Sequence, residues 1–239
     1  MSMPYELKEE DVAKSRSPAE LFNWMEERCR QLGSTPEAKA YARSGSRLTK
    51  KFYDEVRPLA LFGFREFGQT PGTLVTPSLD NDNFDGTVQI QGGRRVLVEV
   101  TCAKDGYDDS LRLEVLAKEG NVNGLAPISV KGTRSSVDRV VTIPNEMVDH
   151  DEIVDKHIAY VAQRLVSKAD VIYGREHILL VEVDDYIPFR SEDDVERLKS
   201  FARRALAKLR LDFPRIVFQG SSGGLFFDYL GPFGNRRVL

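Results

Sequence analysis

The chain has 239 residues, with 34 Lys and Arg against 37 Asp and Glu and a formal net charge of -3. Hydrophobic residues make up 41%, enough for a sizeable core, so the chain is not disordered by composition. The near balance of charge excludes a wholesale basic coat for nucleic acid but not a local basic surface. Two cysteines, Cys29 and Cys102, exclude a disulfide framework and a four-thiolate zinc site. No apolar run approaches the roughly 20 residues that span a bilayer. The charged start, MSMPYELKEEDVAKS, lacks the apolar stretch of a signal peptide, so a soluble cytoplasmic protein is expected.

In chain order, Ser17-Pro18-Ala19-Glu20 reads as a capping box with Pro at the first helical position. Apolar residues at 21, 22, 25, 29 and 32 continue the helix, and Gly33 ends it. A second helix starts at Thr35-Pro36-Glu37; Gly45 and Pro58 argue against one unbroken rod to residue 68. Residues 1–68 are therefore expected to be a helical region, and 69–239 an α/β core on which it packs. QTPGTLVTPSLDNDN reads as a loop or a short irregular strand, and FDGTVQIQ and RRVLVEVTCA as strands joined through Gly92-Gly93. DDSLRLEVLAKEG is a short helix. LAPISVKG and RVVTIPN are candidate short strands, and DEIVDKHIAYVAQRLVSKA is a helix. HILLVEVDD, apolar nearly throughout, reads as a central strand buried on both faces. EDDVERLKSFARRALAKLR is a helix, and FPRIVFQ and GLFFDYL a final strand pair. The alternation predicts an α/β fold with a mixed central sheet and flanking helices.

The stretch from Asp85 to Thr101 carries the most chemistry. Two carboxylates on neighbouring strands can hold a hard divalent cation, which takes oxygen ligands. Glu99 and Thr101, two apart on a strand, share a face. A two-residue Gly92-Gly93 turn sets Asp85 opposite Val100 and leaves Glu99 on the other face. A three-residue loop, Gly92 to Arg94, sets Asp85 opposite Thr101 and Thr87 opposite Glu99. Only the second register, or a bulge, gathers the carboxylates.

This order of helix, Asp-bearing strand, hairpin, Glu99-x-Thr101, helix and buried strand resembles the PD-(D/E)XK nuclease superfamily over residues 37–185. The resemblance implies a restriction-endonuclease-like sheet and a Mg²⁺ (or Mn²⁺) site. Asp85 and Glu99 would be its catalytic acids and metal ligands. It implies a Glu from the preceding helix as a further ligand, with Glu66 the candidate and Glu55 second. Two departures stand out: Asn83-Phe84 replaces the usual Pro before Asp85, and Thr101 stands where the family has its Lys. Lys104 is then the candidate substitute, or a helix Lys such as Lys118 or Lys156. The implied activity is hydrolysis of nucleic-acid phosphodiesters. With Thr101 in the Lys position, the alternative is an inactive module of the same fold that binds nucleic acid or a protein partner.

Nucleic acid needs positive charge near the site. Arg197, Arg204 and Lys208 form one stripe, and Arg43, Arg47, Lys50 and Lys51 a second basic segment. A solvated helix face balanced by Glu192, Asp193 and Asp194 is the simpler reading of the first. A homo-oligomer built on the 1–68 helices is a further candidate. Other patterns fail. DNDNFDG places Gly92 where a calcium loop needs its twelfth-position Glu. Gly220-Ser221-Ser222-Gly223-Gly224 spells a nucleophile elbow, but a strand follows it and all three His lie upstream. His150 and His157 have no further zinc ligands in view, and Cys102 reads as a buried small residue.

Overall fold

A computed structural model describes residues 3, 5–80, 82–133, 136 and 138–231. Asn81, within the DNDNFDG stretch, lies outside the described residues. The N-terminal part comprises α1 (Glu9–Val12), α2 (Pro18–Leu32), α3 (Pro36–Arg43), α4 (Arg47–Lys51), a π-helical turn (Phe52–Val56) and α5 (Arg57–Phe67). The capping box at α2 forms. The Ser17 N–H donates to Glu20 Oε2 at 2.9 Å, and the Glu20 N–H to Ser17 Oγ at 3.3 Å.

The chain breaks at Gly45, whose φ of 66° suits glycine, but it does not break at Pro58. Helical structure runs from Arg47 through Phe67. Pro58 has no N–H to give the Asp54 carbonyl four residues earlier. The turn before it widens so that the Arg57 N–H bonds Phe52 O, a π pattern. The freed Asp54 carbonyl accepts from Cys102 Sγ at 3.1 Å.

The strands are β1 (Leu74–Pro77), β2 (Gly86–Gln89), β3 (Arg95–Cys102), β4 (Ser129–Lys131), β5 (Val140–Thr142), β6 (His177–Val183), β7 (Arg215–Gly220) and β8 (Phe226–Leu230). The remaining helices are α6 (Gly106–Glu119), α7 (His150–Lys168) and α8 (Glu192–Leu206). Six strands form one mixed sheet in the order β1-β2-β3-β6-β7-β8, and β4-β5 is a separate hairpin. β3, β6 and β7 run parallel, and the outer pairs are antiparallel. The α/β class with a mixed sheet and flanking helices is therefore what the chain adopts.

All of β6 is buried, because both sheet faces are covered. On one face Val96, Val98, Val100, Ile178, Leu180 and Val217 pack with Met25, Phe52, Leu59 and Phe62 of the N-terminal helices. On the other, Leu179, Val181, Ile216 and Phe218 pack with Val161 and Leu165 of α7 and Leu198 and Ala202 of α8. Glu99 and Thr101 alternate with Val98 and Val100, so they point toward the α7 side.

The β2–β3 hairpin closes through the Ile90 N–H to Arg94 O at 2.8 Å and the Gly93 N–H to Ile90 O at 3.2 Å. The loop is Gln91 to Gly93, with Gly92 and Gly93 at φ of 99° and 95°. It has three residues, but starts one residue earlier than the Gly92-to-Arg94 loop expected from sequence. The register is Gly86↔Val98 and Val88↔Val96, which buries Val88 and Val96 together. Continued by one residue, it brings Asp85 level with Glu99 instead of Thr101. Both registers keep the two acids on one face, since the pairing shifts by two.

Candidate functional site

Asp85 sits immediately before β2, where β3 loses its partner on that side. Its N–H donates to Val98 O, and its Oδ2 accepts the Val100 N–H, each at 2.8 Å. The carboxylate thus takes the place of a ladder carbonyl and brackets Glu99. Glu99 is 9% exposed, and its Oε1 accepts a hydrogen bond from the Nζ of Lys168, the last residue of α7. Burial raises the Glu99 pKa, while the Lys168 hydrogen bond pulls against it and the Asp85 charge adds to it. Burial by itself would lower the Lys168 pKa; the hydrogen bond and charge of Glu99 outweigh it, and the ammonium is held above its ordinary value.

The third acid is Glu55, in the π turn. Its Oε2 lies 2.9 Å from Lys51 Nζ, yet that buried oxygen has no aligned hydrogen-bond donor. Burial, and then the negative charge of Asp85, push the Glu55 carboxyl up to about 7. Tyr173 closes the far side, its ring centroid 6.0 Å from Lys168 Nζ. Its loop is pinned by Asp212 Oδ2, which accepts the Tyr173 and Gly174 N–H groups at 2.9 Å each. Three carboxylates and two ammonium groups therefore meet at the open edge of β3, from α4, the π turn, the start of β2, β3 and α7.

Of the residues singled out from sequence, Asp85 and Glu99 come together here with Glu55 and Lys51, whereas Glu66, Lys104, Lys118 and Lys156 lie elsewhere. Glu66 is eleven residues beyond Glu55 on the same helical rod, about 16 Å along its axis. It receives Arg215 at 2.6 Å, and Arg215 also pairs with Asp228 at 2.6 Å. Glu55, the second candidate, is the helix Glu that stands beside Asp85. Lys104 lies 2.7 Å from Asp54 and 3.4 Å from Asp109, on the opposite side of β3 from Glu99. Lys118 pairs with Glu114 at 2.8 Å, and Lys156 with Asp108 at 3.6 Å. The amine that reaches Glu99 is Lys168, which sequence reasoning missed. The signal was present: Lys168 follows Val161 and Leu165 at spacings of seven and three on the buried stripe of α7, an odd place for a lysine.

The basic stripe is divided. Arg197 donates to Asp151 and, at 2.8 Å, to Asp155, so α7 takes up its charge. Arg204 and Lys208 are exposed, Lys208 lying beyond the end of α8. His150 bonds Asp194 at 2.9 Å and His157 the Ile153 carbonyl at 2.8 Å, which uses both rings structurally. The GSSGG segment is a turn into β8 built on Asp185. The Asp185 carboxylate accepts from the Ser222 N–H and Oγ at 2.7 Å each and from the Leu225 N–H at 3.1 Å.

The donor set at the edge of β3 is all oxygen, which suits Mg²⁺ or Mn²⁺ over zinc. The buried Glu55 Oε2, faced by the Lys51 ammonium without an aligned hydrogen bond, is the feature that fits a cation best. Among the described residues no three His, Cys, Asp or Glu side chains already stand as a metal-ligand group; Lys51 and Lys168 hold two of the acids instead. Among the described residues no helix is long and apolar enough to cross a membrane. No family model, curated protein or solved structure matches the chain.

Proposed function

We propose that this chain is a metal-dependent nuclease-like protein of the PD-(D/E)XK type that hydrolyses nucleic-acid phosphodiesters. The observation that carries this is the contact of Lys168 with Glu99. The site lacks a lysine at Thr101, and an ammonium from α7 stands beside the second acid in its stead. Asp85, Glu99 and Glu55 would hold Mg²⁺ or Mn²⁺. When bound, such a cation polarises the phosphate and lowers the pKa of a bound water. Lys168, its pKa raised, stays protonated at neutral pH; it serves as a fixed positive charge for the developing phosphate charge and not as a base. Glu55, its carboxyl pushed up to about 7 by burial and by Asp85, must give up its proton to ligate a cation, so binding strengthens as pH rises through 7. Asp85 is held by the Val100 N–H and keeps its carboxylate aimed along β3.

The test is Mn²⁺ binding by calorimetry together with Mg²⁺-dependent cleavage of DNA and RNA. Asp85→Asn and Glu99→Gln should each abolish both; full cleavage by either variant would remove the assignment. The same contact also favours a second reading, a binding module that has lost catalysis, because Lys168 occupies the oxygen a metal would need. Tight nucleic-acid binding with no cleavage and no Mn²⁺ uptake by the wild type would select it.

A further inference from the structure

One residue before Glu55, Asp54 anchors the π turn to the sheet. Lys104 Nζ is 2.7 Å from Asp54 Oδ1 and 3.4 Å from Asp109 Oδ2. The Cys102 thiol reaches the Asp54 carbonyl at 3.1 Å and Glu182 Oε2 at 3.2 Å, sharing its one proton between them. Arg57 ties the other end of the turn to Glu182 at 3.4 Å and to the Ser221 carbonyl. Arg164 donates to the carbonyls of Cys102 and Lys104 at 2.9 and 2.6 Å, fixing the backbone from which Lys104 reaches. A π turn inside a helix is an uncommon geometry, and the contacts of its side chains help to set its rotation. Consecutive side chains on a helix project at fixed angles to one another. Fixing the rotation of Asp54 therefore fixes that of Glu55.

We infer that Lys104 is a positioning residue. Through Asp54 it holds the π turn in the rotation that presents Glu55 to Asp85 and Lys51. This rests on the metal-site reading only in making Glu55 part of that site. The charges facing Glu55 are Lys51 from α4 and Asp85 from the segment before β2, with Glu99 beyond them on β3. Arg57 on α5 faces Glu182 instead.

The experiment is a crystal structure and amide hydrogen exchange over residues 52–57 of the full-length, metal-free protein, for wild type, Lys104→Met and Lys104→Arg. In Lys104→Met the Glu55 carboxylate should turn away from Asp85 and Lys51, and the Arg57 N–H bonded to Phe52 O should exchange roughly tenfold faster or more; Lys104→Arg should keep both as in wild type. A Glu55 that stays in place in Lys104→Met, with only a lower melting temperature, overturns the inference. Lys104→Gln replaces Met should that variant not fold, and the position of Glu55 decides in the same way. Mn²⁺ affinity should fall about tenfold in Lys104→Met and return in Lys104→Arg, as for lost second-layer support of a ligand. Wild-type protein that binds no Mn²⁺ would sink the metal reading, while the position of Glu55 still decides the role of Lys104.

Discussion

At the scale of single residues, the site is a set of acids kept in balance by two amines. Lys168 offsets Glu99, and Lys51 stands at Glu55. Lys168→Met should lower cleavage about 10²–10³-fold, the cost of losing one preorganised donor to developing charge. Mn²⁺ affinity should be kept or strengthened, because Glu99 is then free to ligate. Thr101→Lys added to that variant should recover part of the rate, since Thr101 shares the Glu99 face; no recovery would argue against Lys168 standing in for the missing lysine. Glu55 also makes stability depend on pH. Its folded pKa, about 7, lies above the 4.5 of an ordinary Glu, so the folded state holds the extra proton between those values. The stabilisation is full below about 4.5 and is lost as pH rises through 7. Urea denaturation at pH 5 and pH 8 should show a decline of order 1 kcal/mol, after solvent screening, that Glu55→Gln removes.

At the scale of elements, two local devices aim the acids. The π turn forced by Pro58 rotates Glu55 toward the sheet, and its orphaned Asp54 carbonyl is satisfied by a thiol from β3. The tight approach of β2 to α5 places Asp85. A Cβ on Gly86 would meet Leu59 Cδ2 at 2.2 Å and Thr76 O at 3.2 Å. Gly86→Ala should therefore cost about 1–3 kcal/mol by overpacking. It should also push Asp85 off Glu99, so Mn²⁺ binding should weaken together with the urea midpoint; an unchanged midpoint would show that β2 yields freely.

At the scale of the whole molecule, the net charge of -3 hides opposed groups. Acids gather at the edge of β3, while Arg204 and Lys208 lie exposed at the end of α8. A cation that binds the folded chain alone stabilises it by mass action. Mn²⁺ should raise the melting temperature, and more at pH 8 than at pH 6, because the proton on Glu55 competes with it; equal shifts at both pH values would exclude Glu55 as a ligand. The sequence by itself determined what is local. Caps, periodicity and Gly punctuation specify the helices, the hairpin, the fully buried β6 and hence the α/β class. The pairing of Asp85 with Glu99 was legible as far as the need for an odd loop. Tertiary packing decided the rest. The joint burial of Val88 and Val96 selected a loop one residue earlier, and the widened turn at Pro58 kept a helix whole where a break was expected. Glu55 replaced Glu66, and Lys168 reached Glu99 across 69 residues of chain while Lys104 turned to Asp54. The physical reason is range: caps and turns are settled by neighbours in the chain, whereas a buried charge takes its partner from whichever element the core brings beside it.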